Sequence, residues 1–560
     1  MANRVLKFEK NADFYFNRHL KAFDKGDLID SLSNIRSAIE KDPTNSEYQF
    51  YLAETLSEMF LYEDSNYILF KLLEKNERFD GDVVFDIAVN LFNLGDYDKS
   101  EETFLKYISD YPDGTRIEDA QEAYELLLES HQEQPPIIKD ATLESANLGK
   151  KLLDSGKFAE AVDIMTPLAK NNPGAAFLQN NLALAHFCLG ETSKAIAISE
   201  NMLKLQPTNI HTICNLAIFY STEDLEKARE YCTLLDGVKT DDEADLNKML
   251  LTYCEVGLHE NVYQIAKDIL EINPYEKRLL FIFAAACSNT GRLSESIDAY
   301  MKILYIDPSD TIAQYYKNKV QRVYDVSAGI PVEQQYIYQV PISEVHRRLS
   351  YLHAESSKGE LNMRLLWAGD ENFANLLVWG LYFSDHEIKK VCSEIIAAFH
   401  DEKSDEILRR YLMDSLEPDT IKSELFITMN KFGYKQPYLA YICGKLAEVR
   451  VGSIDAPQGL NKSSTEVLTM LAENEPCSNN AVLLQQVVET VDKYYAAQMS
   501  VPRLVNKKAW AAAFLYYTIK DADIPLDITL GDICNIFEAS QTSTIRCLKL
   551  IHKSIGEHDE

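Results

Sequence analysis

GETSKAIAISENMLKLQP, Gly190 to Pro207, opens on a glycine and closes on a proline with sixteen residues between them. The same interval separates Gly26 from Pro43, Gly95 from Pro112, Gly156 from Pro173, Gly257 from Pro274 and Gly291 from Pro308. Gly156 and Gly190 stand 34 residues apart, as do Gly257 and Gly291, and that period belongs to a helix-turn-helix repeat. The glycine is expected to end helix A, where positive φ lets the last carbonyls be satisfied. Helix B then runs to the proline, which cannot continue it. Five residues after the glycine comes a small or compact side chain, Ser31, Ser100, Ala161, Ala195, Val262 or Ser296. Seven residues before it stands Ala88, Gly149, Ala183 or Ala284. Small groups at both places let helices A and B approach, and larger apolar residues at helical spacing, such as Phe104, Met165, Ile269 and Tyr300, fill the seam.

This pattern resembles the tetratricopeptide repeat (TPR) family, whose repeat has small residues at positions 8 and 20, glycine at 15, a large residue at 24 and proline at 32. Ala183, Gly190, Ala195 and Pro207 match it, with Ser199 departing at position 24; Gly257, Val262 and Pro274 match in a later copy, with Leu250 departing at position 8. The resemblance implies an all-α helical solenoid.

The intervals divide the solenoid into two arrays. The first, residues 1–112, contains a worn second repeat in which Phe60 occupies the glycine position. Gly95 and Gly156 are 61 apart, so residues 113–138 are read as an inserted helix, RIEDAQEAYELLLESHQ, and a joint. The second array, residues 139–327, includes a repeat in which STEDLEKARE makes the turn without glycine, and it ends in a polar capping helix, TIAQYYKNKVQRVYD. SAGIPVEQQ is read as a linker. Residues 328–451 hold short amphipathic helices that resemble HEAT-type pairs, and YLAYICGKLAEVRVG has a candidate strand. Residues 452–480 are a polar spacer around one short helix. Residues 481–560 form a small helical domain with ten acidic and eight basic residues. From Lys507 onward that domain resembles a cyclin-box or helix-turn-helix module. Cys534 is the small residue at the helix crossing, and Glu538 stands where such modules carry glycine.

Net charge is −31 over 560 residues, which disfavours indiscriminate binding to nucleic acid or anionic membrane. No apolar run approaches the roughly 20 residues that span a bilayer. The N-terminus, MANRVLKFEKNADFYF, is broken by charges, and the ten cysteines form no C-x-x-C pair. A cytoplasmic chain with reduced thiols is expected. No nucleotide-binding, metalloprotease or nucleophile-elbow motif occurs. His346 and His353 have no carboxylate or cysteine completing a metal set. Neither an enzyme nor a cofactor is therefore expected. Trp367, Trp379 and Trp510 read as core.

In the family, ligands lie along the face made by the A helices. By position, the resemblance places Phe16, Phe23, Phe50, Phe85, Phe92, Phe177, Asn180, Phe187, His211, Asn247 and Phe281 there. It implies a protein-binding scaffold gripping a partner segment, with aromatic anchors. The basic clamp that some members use for a C-terminal carboxylate is not reproduced: Lys150 and Asn180 exist, and the other positions do not. The alternative is a transcription-linked regulator. In it the C-terminal recognition helix would present Gln541, Thr542, Arg546, Lys549 and Lys553 to DNA, or the domain would contact polymerase.

Overall fold

The computed structural model describes residues 10–555 apart from 75–79, 133–140, 155, 328, 384, 443, 452–461, 475, 478–479, 498–503 and 522–527. Its helices are α1 (Ala12–Phe23), α2 (Leu28–Lys41), α3 (Ser46–Glu58), α4 (Tyr62–Leu73), α5 (Asp80–Asn93), α6 (Tyr97–Asp110), α7 (Ile117–Gln132) and α8 (Ala141–Asp154). There follow α9 (Phe158–Asn171), α10 (Ala176–Cys188), α11 (Thr192–Leu205), α12 (Ile210–Ser221), α13 (Leu225–Thr233), α14 (Glu243–Val256), α15 (His259–Ile272), α16 (Lys277–Asn289), α17 (Leu293–Ile306) and α18 (Thr311–Tyr324). Beyond these lie α19 (Ile342–Ser356), α20 (Glu360–Gly369), α21 (Glu371–Phe383), α22 (His386–Phe399), α23 (Glu402–Met413), α24 (Asp419–Phe432), β1 (Tyr438–Ile442) and β2 (Lys445–Val449). The last helices are α25 (Lys462–Glu473), α26 (Ala481–Ala496), α27 (Lys507–Asp521), α28 (Leu530–Ile536) and α29 (Gln541–Ile555). The fold is all-α apart from the antiparallel β1–β2 hairpin.

The chain divides into two compact units. One joins Met1–Leu61 to Thr115–Val345; the other joins Tyr62–Gly114 to His346–Glu560.

In the first unit, helices follow one another as packed A–B hairpins, and successive A helices lie side by side, α8 with α10, α10 with α12, and α12 with α14. The glycine rule holds at Gly26, Gly156, Gly190, Gly257 and Gly291, and at Gly95 of the second unit, where φ lies between 72 and 79°. Phe60, the residue that replaces glycine in the worn repeat, adopts φ 63°. The small positions are sealed: Ser31, Ala161, Ala183, Ala195, Val262, Ala284 and Ser296 have no exposed surface. The serines do more than fit. Ser296 Oγ donates to Ala284 O at 2.7 Å, so the B helix is tied to the A-helix backbone at the point of closest approach. In the first repeat His19 holds the position that alanine takes elsewhere, and Ser31 Oγ meets its Nδ1 at 2.8 Å instead.

α18 packs on α17 and sets Tyr316 against Phe281 with ring centroids 5.4 Å apart. The stretch after it is no free linker. Residues 329–340 form an extended strap on α16, α17 and α18. Val332 N donates to Ser288 O at 3.0 Å, and Ser288 Oγ donates to Val332 O at 2.6 Å. Asn289 brackets Gln334, donating to its carbonyl at 3.0 Å and accepting from its N–H at 2.7 Å. The strap carries glycine, proline and glutamine, which read as loop because they lack apolar periodicity; what holds them is polar and remote in sequence.

In the second unit, α4 and α5 pack together, as do α5 and α6. The Ser–carbonyl tie recurs between Ser100 Oγ and Ala88 O at 2.8 Å. α4 also lies against α23, where Arg410 bonds Asp64 and Ser415 N donates to Glu63 at 3.2 Å. Asp96 caps α6 and also accepts from Leu446 N of β2 at 3.1 Å. One apolar core runs through α20 to α24 and the β-hairpin, and a second through α25 to α29. Trp367, Trp379 and Trp510 are all buried. Nine cysteines among the described residues are unpaired thiols.

Candidate protein-binding face

α10 presents its outward stripe by simple helical spacing: Phe177, Asn181, Leu184 and Cys188 follow one another at intervals of four, three and four. Phe177 is 47% exposed and Cys188 is exposed, while Asn181, Leu184 and Phe187 are half-buried. Phe187 stacks on the buried Phe219 of α12, ring centroids 4.6 Å apart. Its ring is therefore held from behind, with part of it open. On α14, Leu251 is 59% exposed, and Asn247 and Lys248 are half-buried. Burial pulls the Lys248 amine below its ordinary range, and no carboxylate among the described residues pairs with it.

Polar groups fix how these A helices sit. Asn180 is buried; its amide donates to Asn209 Oδ1 at 3.1 Å and its Oδ1 accepts from Thr212 Oγ1 at 2.8 Å. Its carbonyl also accepts from Asn215 at 3.2 Å. Asn180 is thus a lock between α10 and α12. His211, half-buried, sets Nε2 3.3 Å from Asp245 Oδ1 and so joins α12 to α14.

The structure therefore separates the expected anchors. Phe177, Phe187, His211 and Asn247 are open in whole or part. Phe281 has no exposed surface; it packs against Tyr300, Tyr316 and Tyr338. Phe85 is 3% exposed and meets Phe104 and Tyr107, both edge-on at 5.6 Å. Phe85 and Phe281, with Asn180, are thus core and not ligand-facing. Their place on helix A points them at their own helix B or at the next A helix. Phe50 is likewise buried, while Phe16 and Phe23 are half-buried. Phe92, 47% exposed, lies edge-on to the equally open Tyr97. Asn181, Leu184, Lys248 and Leu251 escaped the sequence reading, though the i, i+4, i+7 stripe through Phe177 would have found the first two.

At the other end of the chain, Gln541, Thr542, Arg546, Lys549 and Lys553 all face solvent on α29, together with Ile545 and Leu550. Thr544 and Cys547 turn inward. Cys534 Sγ reaches Thr544 Oγ1 at 3.4 Å, the close crossing expected of a small residue on α28. Glu538 takes φ 49° in the turn, and Ala539 N closes it on Cys534 O at 2.7 Å. The glycine position is thus filled by a non-glycine in the glycine conformation. Lys508 pairs with Glu538 at 2.5 Å.

His346 and His353 are exposed, and no cluster of metal-ligating side chains exists among the described residues. No described helix is long and apolar enough to cross a membrane.

Sequence comparison agrees with the repeat geometry. Tetratricopeptide-repeat profiles match residues 146–210 and 278–310. The TPR repeat-containing protein YvcD of Bacillus subtilis (strain 168) is 27% identical over 288 residues, covering 51% of this chain and 59% of the relative, so the chain matches less than two thirds of that protein's length. Among solved structures, the TPR2AB domain of yeast Sti1 in complex with pHSP90 aligns at 19% identity and TM-score 0.21, over 47% of this chain and 98% of that one. A tetratricopeptide repeat protein from Parabacteroides merdae aligns at 10% identity and TM-score 0.24, over 55% and 98%. The glycine-ended A helices, the sealed small positions and the two profile matches agree that residues 146–210 and 278–310 of this chain are tetratricopeptide repeats.

Proposed function

We propose that the chain is a non-catalytic interaction scaffold, and that the α10–α12–α14 face binds a segment of a partner protein. The observation that carries this reading is the group of exposed and half-buried apolar side chains Phe177, Leu184, Phe187 and Leu251 on helices fixed by the buried Asn180 lock and the half-buried His211–Asp245 pair. A preorganised face with few large anchors is how a small number of contacts supplies most of a binding energy. His211 and Asn247 would supply polar positioning, and Lys248, lacking a carboxylate of its own, suits an acidic group on the ligand. A cytoplasmic setting and a role in assembling a complex belong to the same proposal. The test is capture from the source lysate with the full chain and with Phe177→Ala/Phe187→Ala. A direct partner should bind the double variant roughly 10- to 100-fold more weakly, as loss of one or two hot-spot side chains costs. Equal retention by both proteins would defeat the reading.

A second reading is favoured by the α28–α29 turn. With Glu538 in the glycine conformation and Cys534 at the crossing, α29 would present Gln541, Thr542, Arg546 and Lys549 to nucleic acid. At most about three phosphate contacts are available from Arg546, Lys549 and Lys553. Duplex binding by the full chain should weaken with salt, and Lys549→Gln should reduce the log–log slope by about one. Salt-independent retention, or none, excludes it.

A further inference from the structure

The strap alternates as a bound strand does. Val332, Gln334 and Val340 are buried, Tyr336 and Tyr338 are half-buried, and Glu333, Gln335 and Ile337 between them face solvent. Period-two burial against a receptor is the pattern of an extended peptide read through alternate side chains. Much of the recognition is of main chain. Besides the Ser288 and Asn289 bonds to Val332 and Gln334, Lys319 donates to Glu333 O at 2.9 Å and Tyr316 to Gln339 O at 3.0 Å. The side-chain sockets are specific. Gln334 bridges Tyr300 Oη at 2.5 Å and Ser288 Oγ at 2.7 Å. Tyr336 Oη meets His259 Nδ1 at 2.8 Å, and Tyr338 donates to Asp310.

We propose that α15 to α18 form a second peptide-binding site, that residues 330–340 are its built-in occupant, and that its external ligand is an extended protein segment with an amide and two phenols at alternate positions. Two features separate this from a fixed cap. The receptor groups that bond the strap's main chain, Ser288, Asn289, Tyr316 and Lys319, are polar, so water can satisfy them when it leaves, and the apolar surface beneath Tyr336 and Tyr338 is what a replacing segment must cover. Recognition of backbone N–H and C=O is indifferent to whose backbone it is, so a segment of like spacing can make the same bonds. The site is distinct from the α10–α14 face, and Phe177→Ala/Phe187→Ala leaves it untouched.

The probe is a fluorescent peptide of residues 329–341, titrated into full-length protein. In wild type the strap competes at high effective concentration. Gln334→Ala/Tyr338→Ala weakens the strap and should tighten peptide binding by about tenfold or more. Adding Asn289→Ala, a receptor side chain that holds the Gln334 backbone on both sides and also bonds Tyr336, should abolish that gain. A folded strap-weakened chain that ignores the peptide overturns the proposal. If that variant does not fold, hydrogen exchange of the wild type decides. The Val332 and Gln334 amides should open at least about 100-fold more often than those of α16. Exchange of both only together with α16 marks a permanent cap and overturns the proposal equally.

Discussion

Gly149 shows how tightly a single residue can be specified. It sits inside α8, where alanine would be favoured by about 1 kcal/mol on helix propensity alone. A Cβ there would lie 2.5 Å from Met165 Cγ and 3.2 Å from its sulfur, and Met165 has no exposed surface in which to retreat. Overpacking of this kind costs about 1–3 kcal/mol, so steric loss outweighs propensity. Gly149→Ala should lower stability in urea unfolding, and Gly149→Ala/Met165→Val should recover most of it. A stabilised single variant would mean that the α8–α9 seam is loose.

His19 makes a pH-dependent counterpart. It is fully buried with no partner at Nε2. Burial lowers its pKa more than the Ser31 bond and the Asp24 carboxylate raise it. With the folded value below the unfolded one, the unfolded chain takes up the proton first as pH falls through about 6.5. Its contribution is present above that pH and is lost below it, by up to about 1.4 kcal/mol per pH unit. Melting curves of the wild type should fall more steeply between about pH 6.5 and 5.5 than those of His19→Gln. Parallel pH profiles would show that His19 does not titrate in that range.

At the scale of the element, the repeat was legible because its markers are backbone markers. Glycine at positive φ and proline after helix B do not depend on distant partners, and even the substitution at Phe60 could be located from the register. It yields a prediction: Phe60, at φ 63° and 47% exposed, carries a left-handed strain of about 1–2 kcal/mol that glycine would relieve. Phe60→Gly should therefore stabilise the chain by up to about 1 kcal/mol after the ring's lost packing, read by urea unfolding. Net destabilisation would show that the ring matters more than the backbone. The candidate face was only half legible. A stripe of aromatics on helix A tells which residues avoid helix-exposed water, not which are covered by their own B helix. Hence Phe177 and Phe281 looked alike in sequence, and only packing against Tyr300, Tyr316 and Tyr338 distinguishes them. Phe281→Ala would therefore report a core loss of about 3–5 kcal/mol rather than a lost ligand contact. The strap was illegible for the opposite reason: its determinants, Ser288, Asn289 and Tyr300, are ordinary in their own helices and acquire meaning only when the chain returns to them.

At the scale of the whole molecule, the tandem-repeat pattern suggests that the chain can be cut after its last repeat, and the packing argues otherwise. Residues 62–114 belong to the same compact unit as residues 346–560. α4 is held to α23 through Arg410 and Asp64, and α6 to β2 through Asp96 and Leu446 N, with Lys445 pairing Asp98 at 2.8 Å. The exposed ion pairs contribute little, roughly 0–1 kcal/mol each. The bond to Leu446 N matters more, because Asp96 is only 6% exposed and an orphaned buried N–H costs about 1–3 kcal/mol. Buried surface adds to this. Tyr67 and Tyr441 are both buried, and desolvation pushes both phenols well above their ordinary range. A chain ending at residue 327 exposes all of this and removes the strap as well. Amide exchange in α4 to α6 should then accelerate by orders of magnitude, while α10 to α14, whose packed neighbour helices α8, α9 and α15 lie within residues 139–327, should keep most of its protection. Equal protection of α4 to α6 in the cut and full chains would mean that the repeats stand alone and that the long-range bonds are incidental. Unequal protection would mean that binding measured on the isolated repeats reports on α10 to α14 only, and that the full chain is the proper object for every partner experiment.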